Sequence, residues 1–118
     1  MMKIGIIGVG SIGGLIAGLI ANKEDNELIL YTNSNIQKYE LISNGLTINV
    51  HERKEQLKIE QKKFTIISNE DNIDKKWEES CNLVLICTKS FSTLEASHIA
   101  KRLISKDGFC ISIQNGIG

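Results

Sequence analysis

Several features that would restrict the function of a protein are scarce or missing in this chain of 118 residues. It has no proline, 5% aromatic residues and three cysteines. Lys and Arg together number 14, as do Asp and Glu, so no net charge draws the chain towards nucleic acid or an anionic membrane. The hydrophobic fraction of 42% is ordinary for one globular domain built around a single core.

Membrane spans, export signals and metal sites are also not indicated. The apolar stretch at residues 4–21 is broken by glycines and a serine, which predicts strand, loop and helix rather than a span or a signal peptide. The cysteines show no CxxC spacing, and Cys87 and Cys110 lie inside apolar runs, which predicts buried, reduced thiols. Neither His51 nor His98 has a partner spaced for metal binding or a triad. We therefore expect a cytoplasmic protein without a metal.

Short apolar runs alternate with segments of helical periodicity along most of the chain. This alternation indicates an open, mainly parallel α/β sheet with helices on both faces. The alternating segment LTINV and the charged stretch after it predict a small antiparallel hairpin. The predicted strands are residues 3–8, 28–31, 64–67, 83–87 and 109–113, and the predicted helices are 12–21, 35–42, 71–80 and 94–107.

Particular residues are expected to start, stop or anchor these helices. Ser34 or Asn35 is a suitable cap for the second helix, whose apolar residues include Ile36, Tyr39, Leu41 and Ile42. Gly108 is the expected stop of the last helix, which is anchored by Leu94, Ile99, Leu103 and Ile104.

The first strand leads into the glycine-rich segment IGIIGVGSIGG. Gly8, Gly10 and Gly13 fit the pattern G-x-G-x-x-G, which provides a tight turn, close approach of a pyrophosphate and close packing of helix on strand. The N–H groups at the start of the following helix add Ser11 and Ile12 to the predicted phosphate site. A packing loop without a ligand is the alternative. The coincidence of strand, motif and helix favours a Rossmann-like dinucleotide-binding domain.

The end of the second strand bears on the choice between NADP and NAD. An acidic residue there would bind the 2′-hydroxyl of the adenosine ribose, but the sequence has Thr32, Asn33 and Ser34. No carboxylate repels a 2′-phosphate, and no arginine binds it. Hydroxyl and amide donors, with Lys38, would take that role, so the sequence favours NADP (NADPH), with NAD as the alternative.

Two further strand ends carry polar groups towards the same edge of the sheet. Thr88 and Lys89 follow one apolar run, and Gln114 and Asn115 follow the last. Taken singly, a lysine there is usually a surface residue and Asn-Gly is usually a turn. Ligands of doubly wound sheets lie outside the carboxyl ends of the strands, so their joint position predicts a binding site.

Four segments together resemble a known family. KIGIIGVGSIGGLIAGLI, NGLTINV, LVLICTKSFST and ISIQNGIG, in this order, resemble the amino-terminal domain of the ketopantoate reductases (2-dehydropantoate 2-reductases) over the whole chain. The resemblance implies that the glycine loop binds NADPH. It also implies that Lys89 contacts the cofactor near the substrate, and that Asn115 helps to hold the nicotinamide ribose and the substrate.

The resemblance also implies a second domain. Family members continue into a helical carboxyl-terminal domain with the catalytic lysine and a substrate-binding glutamate, so we expect residues 1–118 to be the dinucleotide-binding domain, with no catalytic residue and no activity alone. The implied reaction is reduction of ketopantoate, a small 2-keto acid, to pantoate in pantothenate biosynthesis. Asn33 stands where the family usually has an arginine. We expect no nucleic-acid or membrane partner, and a homodimer through the face that truncation exposes, near Ile117.

Two other functions stay open at this point. One is a different two-domain NAD(P)-dependent hydroxyacid dehydrogenase, and the other is a non-enzymatic module that senses dinucleotides. A natural end at Gly118 would favour the sensor, whereas Lys89 and Asn115 at the cleft favour the reductase.

Overall fold

The structure, a computed structural model, describes residues 2–8, 26–50, 55–69, 72–87 and 93–113. Within these ranges the chain forms a five-stranded sheet, a separate two-stranded sheet and two α-helices. The strands are β1 (Lys3–Ile7), β2 (Glu27–Tyr31), β3 (Leu46–Val50), β4 (Glu55–Ile59), β5 (Thr65–Ile67), β6 (Cys81–Ile86) and β7 (Ile104–Ser112), and the helices are α1 (Asn35–Asn44) and α2 (Thr93–Leu103).

The main sheet has the order β5-β2-β1-β6-β7, and every neighbouring pair in it is parallel. The strands β3 and β4 form the antiparallel hairpin. This arrangement confirms the predicted open α/β sheet and its small antiparallel addition. A parallel sheet of this kind needs apolar side chains on both faces, which explains the apolar runs at residues 4–7 of β1, 28–31 of β2 and 83–86 of β6.

Successive residues of the central strands divide the core between the two faces. Ile7, Tyr31 and Val84 belong to a cluster that packs against α2 and Trp77. On the other face Ile6, Leu30 and Leu85, which are in register across β2, β1 and β6, belong to a second cluster. That cluster also contains Leu41 of α1, Leu46 and Ile59 of the hairpin, and Phe64.

Helix α1 begins and ends as its sequence predicts. The Ser34 hydroxyl oxygen accepts a hydrogen bond from the backbone N–H of Gln37 at 3.1 Å, so Ser34 is the N-cap. At the other end Gly45, with a φ of 72°, donates its N–H to the Leu41 carbonyl at 2.9 Å. The expected apolar face is only partly buried, because Leu41 alone in this helix is buried. Ile36, Tyr39 and Ile42 are exposed.

The end of α2 differs from the prediction. The helix ends at Leu103 rather than at Gly108, and β7 begins at Ile104 without an intervening loop. The last carbonyls of the helix already have partners, since Glu79 N–H donates to Arg102 O (2.8 Å) and Ser80 N–H donates to Leu103 O (3.0 Å). Gly108 lies within β7. Of the predicted anchors, Ile99 and Leu103 are buried and Leu94 is exposed.

The described residues 72–80 do not form the helix predicted for 71–80. Asn72 is in a 3₁₀ conformation, and one 3₁₀ turn follows at Lys75–Trp77. Asp74 has an extended backbone and Glu79 has a positive φ of 49°, and neither conformation continues a helix. The two predicted anchors, Ile73 and Trp77, are nevertheless buried in the core below this turn.

The three cysteines are free, and their environments differ. Burial raises the pKa of the Cys81 thiol to about 11 and raises the pKa of the Cys87 thiol. Cys110 is exposed, which corrects the prediction of a buried residue. The reason is its position in β7, which is an edge strand of the described sheet. Residues 109–112 of this strand are exposed to solvent. Neither described helix has the length and hydrophobicity that crossing a membrane would need.

Candidate functional site

The carboxyl ends of the five parallel strands meet at one edge of the sheet. There the first residue after a strand donates its backbone N–H to the carbonyl of the last residue of the neighbouring strand. The four bonds are Gly8 to Tyr31 (2.8 Å), Thr32 to Ile67 (3.1 Å), Cys87 to Ile7 (2.9 Å) and Ile113 to Ile86 (2.7 Å). They hold the strand ends at one level, so segments leaving neighbouring strands start about 4.8 Å apart.

Gly8 lies at the centre of this edge, between the ends of β2 and β6. It is buried and has a φ of 96°, a conformation that residues with a side chain rarely adopt. A positive φ is the conformation that the first glycine of a dinucleotide motif needs for its tight turn. The conformation of Gly8 is the described feature that agrees with the predicted motif. Gly10, Ser11, Ile12 and Gly13 lie outside the described residues, so their predicted role stays a prediction.

The end of β2 is organised by a small hydrogen-bond network. Thr32 is 2% exposed, and its hydroxyl donates to the Gln37 side-chain oxygen (2.5 Å) while accepting from the Ser34 backbone N–H (3.2 Å). Ser34 in turn caps α1 through Gln37. The Thr32 hydroxyl is thus occupied within the protein, and Asn33 beside it is an exposed residue.

A second pair extends the polar edge to β5. The Ser68 hydroxyl donates to the Asn35 side-chain oxygen at 2.7 Å, which joins the end of β5 to the start of α1. Lys38 is half-buried one turn into α1. Sequence reasoning missed Gln37, Asn35 and Ser68, because these residues reach the site through the fold rather than through a motif. The one feature of the sequence that could have indicated these contacts is the polar first turn of α1 after the capping Ser34.

The other predicted contacts, Thr88, Lys89 and Asn115, lie outside the described residues. The residues that lead into them are described: Cys87 follows β6 and Ile113 follows β7, both at the same edge as Gly8. In the described part of the chain no group of His, Cys, Asp or Glu is arranged to hold a metal ion. The described edge therefore offers backbone turns, hydroxyls and amides, which suit a dinucleotide better than a metal.

Comparison with known proteins identifies the family. A family model described as ketopantoate reductase PanE/ApbA matches residues 4–118. The chain belongs to this ketopantoate reductase family. It is 34% identical, over 120 aligned residues, to a 2-dehydropantoate 2-reductase of Pyrococcus horikoshii, an alignment that covers 99% of this chain and 34% of the relative. The chain thus spans about a third of the length of that relative.

Solved structures share the fold of this chain. The chain superposes on a D-mandelate dehydrogenase in ternary complex with NADH and anilino(oxo)acetate, with a TM-score of 0.74 and 25% identity over 99% of this chain and 35% of that one. It shares its fold with a putative 2-dehydropantoate 2-reductase from Enterococcus faecalis, with a TM-score of 0.75, 21% identity and the same two coverages. The relatives are oxidoreductases, and the mandelate enzyme binds a nicotinamide dinucleotide.

Proposed function

We propose that residues 1–118 are the cofactor-binding domain of an NADPH-dependent 2-dehydropantoate 2-reductase, which reduces ketopantoate to pantoate in pantothenate biosynthesis in the cytoplasm. The observation that carries the proposal is the row of strand ends at one edge of the sheet, with Gly8 at positive φ in its centre. Membership of the ketopantoate reductase family supports the substrate. The three free cysteines suit a reducing compartment.

Most of the predicted residues have a place in this scheme. The loop from Gly8 to Gly13 would hold the pyrophosphate, while Asn33 and Ser34 at the end of β2 would hold the adenosine ribose. Lys89 and Asn115, which follow β6 and β7, would orient the nicotinamide ribose and the substrate. A bound NADPH would supply a hydride to the keto carbon of the substrate. The proton for the resulting alkoxide would come from a general acid in the proposed carboxyl-terminal domain.

A second candidate is a dehydrogenase for a different 2-hydroxy acid that uses NADH. Two observations favour it: the similarity to the D-mandelate dehydrogenase with bound NADH, and the neutral Asn33 where an arginine would favour a 2′-phosphate. This enzyme would use the same edge of the sheet. Comparing rates with ketopantoate and with aromatic 2-keto acids in the full-length protein separates the two candidates.

The isolated 118-residue chain should bind NADPH without oxidising it. Its described edge is suited to one side of the cofactor, while the general acid belongs to the proposed second domain. Binding is measured by the fluorescence of the reduced nicotinamide, and turnover by the loss of its absorbance when ketopantoate is added. The comparison variant is Gly8→Ala, which should lose affinity for NADPH because alanine is strained at a φ of 96°.

Three outcomes would count against this proposal. If the 118-residue chain oxidises NADPH steadily when ketopantoate is present, the general acid lies within these 118 residues. Equal affinities of the parent chain and Gly8→Ala for NADPH would mean that the cofactor does not bind at this edge of the sheet. A full-length protein that binds NADPH and reduces no 2-keto acid would favour a dinucleotide sensor.

We also expect the isolated chain to self-associate through β7. Phe109 and Ile111 are 74% and 49% exposed, and they lie in register with Leu83 and Leu85 of β6. Phe109 and Ile111 therefore continue the apolar face of the second core cluster onto the edge strand β7, where their side chains are exposed. Exposed apolar side chains beside an open strand edge favour pairing with a second copy.

Light scattering over a range of concentrations measures this association. Phe109→Lys should shift the chain towards the monomer, because a charge at the strand edge opposes pairing. Leu94→Lys is the matched control, since Leu94 is 82% exposed on α2, away from β7. A strictly monomeric parent chain, or equal effects of the two substitutions, would contradict the β7 interface.

A further inference from the structure

The turn between β2 and α1, residues 32–34, is closed by the side chain of a buried threonine. Thr32 is 2% exposed, although threonine is mostly an exposed residue in folded proteins. Its hydroxyl accepts a hydrogen bond from the Ser34 backbone N–H (3.2 Å) and donates one to the side-chain oxygen of Gln37 (2.5 Å). The first bond joins the two ends of the turn, and Asn33 is the residue between them.

The same hydroxyl replaces a direct contact in the cap of α1. In a capping box, the Glu or Gln three residues after the cap accepts a hydrogen bond from the backbone N–H of the cap residue. Ser34 is the cap of α1, and its hydroxyl accepts from the N–H of Gln37, the third residue after it. The Gln37 side chain, however, binds the Thr32 hydroxyl, which in turn binds the Ser34 N–H. The end of β2 is thereby tied to the first turn of α1.

Further hydrogen bonds fix the neighbours of Asn33 to β5. The Thr32 backbone N–H donates to the Ile67 carbonyl at 3.1 Å. The Asn35 side-chain oxygen accepts from the Ser68 hydroxyl at 2.7 Å. Asn33 itself is exposed. A turn that is fixed on both sides presents its middle residue in few orientations, so a ligand that binds this residue loses little conformational entropy.

We propose that Thr32 and Gln37 are positioning residues for the cofactor, which hold residue 33 towards the adenosine ribose without contacting the cofactor themselves. The inference rests on the proposed function, because it assumes a dinucleotide at the end of β2. It changes the role predicted for Thr32 from a direct contact to a contact within the protein, since the hydroxyl has already donated its one proton to Gln37. Discrimination between a 2′-phosphate and a 2′-hydroxyl then depends on this network as well as on the side chain at position 33.

Thr32→Val removes the hydroxyl and nearly keeps the shape of the side chain. The Ser34 N–H and the Gln37 oxygen then lose a partner, and the affinity for NADPH, measured by nicotinamide fluorescence, should fall roughly fivefold. Thr32→Ser keeps the hydroxyl and should retain most of the affinity. Thr47→Val is the matched control, because Thr47 is an exposed residue of β3, beyond the far end of α1. It should leave the affinity unchanged.

A double substitution separates positioning from a contribution to stability alone. Asn33→Arg in the parent chain should raise the affinity for NADPH roughly tenfold. In the Thr32→Val chain the same change should raise it only about twofold, because the arginine is no longer held towards the 2′-phosphate. In the Thr32→Ser chain the gain should stay roughly tenfold. If Thr32 contributed to stability alone, the gain would be the same in all three chains.

Gln37→Met tests the network from its other end. Methionine suits a helix as well as glutamine does, but its sulfur is only a weak acceptor. This variant should therefore also reduce the gain from Asn33→Arg to about twofold. Gln61→Met is its control, since Gln61 is exposed in the 3₁₀ turn before β5. If circular dichroism shows that Thr32→Val does not fold, Gln37→Met decides the matter.

The outcomes distinguish a failure of this inference from a failure of the proposed function. An undiminished gain from Asn33→Arg in Thr32→Val and in Gln37→Met, or no gain in any chain, would overturn the inference. Equal losses of affinity in Thr32→Val and Thr32→Ser would do the same. The proposed function would still stand if the parent chain binds NADPH and Gly8→Ala does not. A parent chain that does not bind NADPH, or that binds it equally well after Gly8→Ala, would refute the proposed function and this inference with it.

Discussion

Replacing Gly45 with alanine should lower the free energy of unfolding by about 3 kcal/mol or more, since both backbone strain and a steric clash result. Gly45 has φ 72° and ψ −166°, a region that glycine alone adopts without strain. A Cβ at this position would lie 2.3 Å from the carbonyl oxygen of Ile59, which is backbone and cannot rotate away. The hairpin would have to shift, and with it Leu46 and Ile59, which are both buried in the second core cluster.

Urea unfolding followed by circular dichroism measures this loss. Asn44→Ala is the matched control, because Asn44 is the adjacent, exposed last residue of α1. An exposed substitution of this kind usually changes stability by less than about 0.5 kcal/mol. Equal unfolding midpoints for the two variants would mean that the hairpin adjusts freely, and that Gly45 does not fix its position.

The parts of the fold that could be predicted are those where one physical requirement acts alone. Residues 4–7 of β1, 28–31 of β2 and 83–86 of β6 lie in the middle of the sheet and are mostly buried, so apolar residues suit them, and each of these segments is an apolar run. The Ser34 cap and the glycine after α1 were likewise predictable, because helix ends must satisfy their own backbone groups.

The errors lie where tertiary contacts override local preference. Nothing in the sequence near Gly108 reveals that α2 has already ended, because the N–H groups that complete its last turn belong to Glu79 and Ser80. Periodicity likewise placed Cys110 in an apolar run and so in the core. Its exposure follows from the position of β7 at the edge of the described sheet, which depends on topology rather than on local sequence.

The candidate site divides in a similar way. Gly8 was predictable because its pattern has a direct steric meaning, and its positive φ agrees with that meaning. The involvement of Thr32 with Gln37, and of Ser68 with Asn35, was not, since these contacts form only once α1 packs beside β2 and β5. Of the three residues predicted to contact the ribose at the end of β2, this network leaves Asn33 as the most accessible.

Asn33→Arg should raise the affinity for NADPH roughly tenfold and leave the affinity for NADH nearly unchanged. An arginine can form a charge-assisted contact with the 2′-phosphate worth about 1.5–3 kcal/mol, whereas neutral donors contribute about half of that or less. The substitution should be tolerated, because Asn33 is exposed while Thr32 beside it stays anchored through Gln37 and the Ser34 backbone. The parent chain should show only modest discrimination between the two cofactors.

The control for this change must add the same charge elsewhere. Asn44→Arg does so at the opposite end of α1, which has ten residues and is therefore about 15 Å long. Affinities of both variants for NADPH and NADH are measured by nicotinamide fluorescence at low and at physiological salt, because a direct contact is screened less than a general field. If Asn44→Arg raises NADPH affinity as much as Asn33→Arg does, the effect is one of net charge. If neither variant alters the ratio of the two affinities, the 2′-phosphate is not bound at the end of β2, and the cofactor orientation proposed for this edge is wrong.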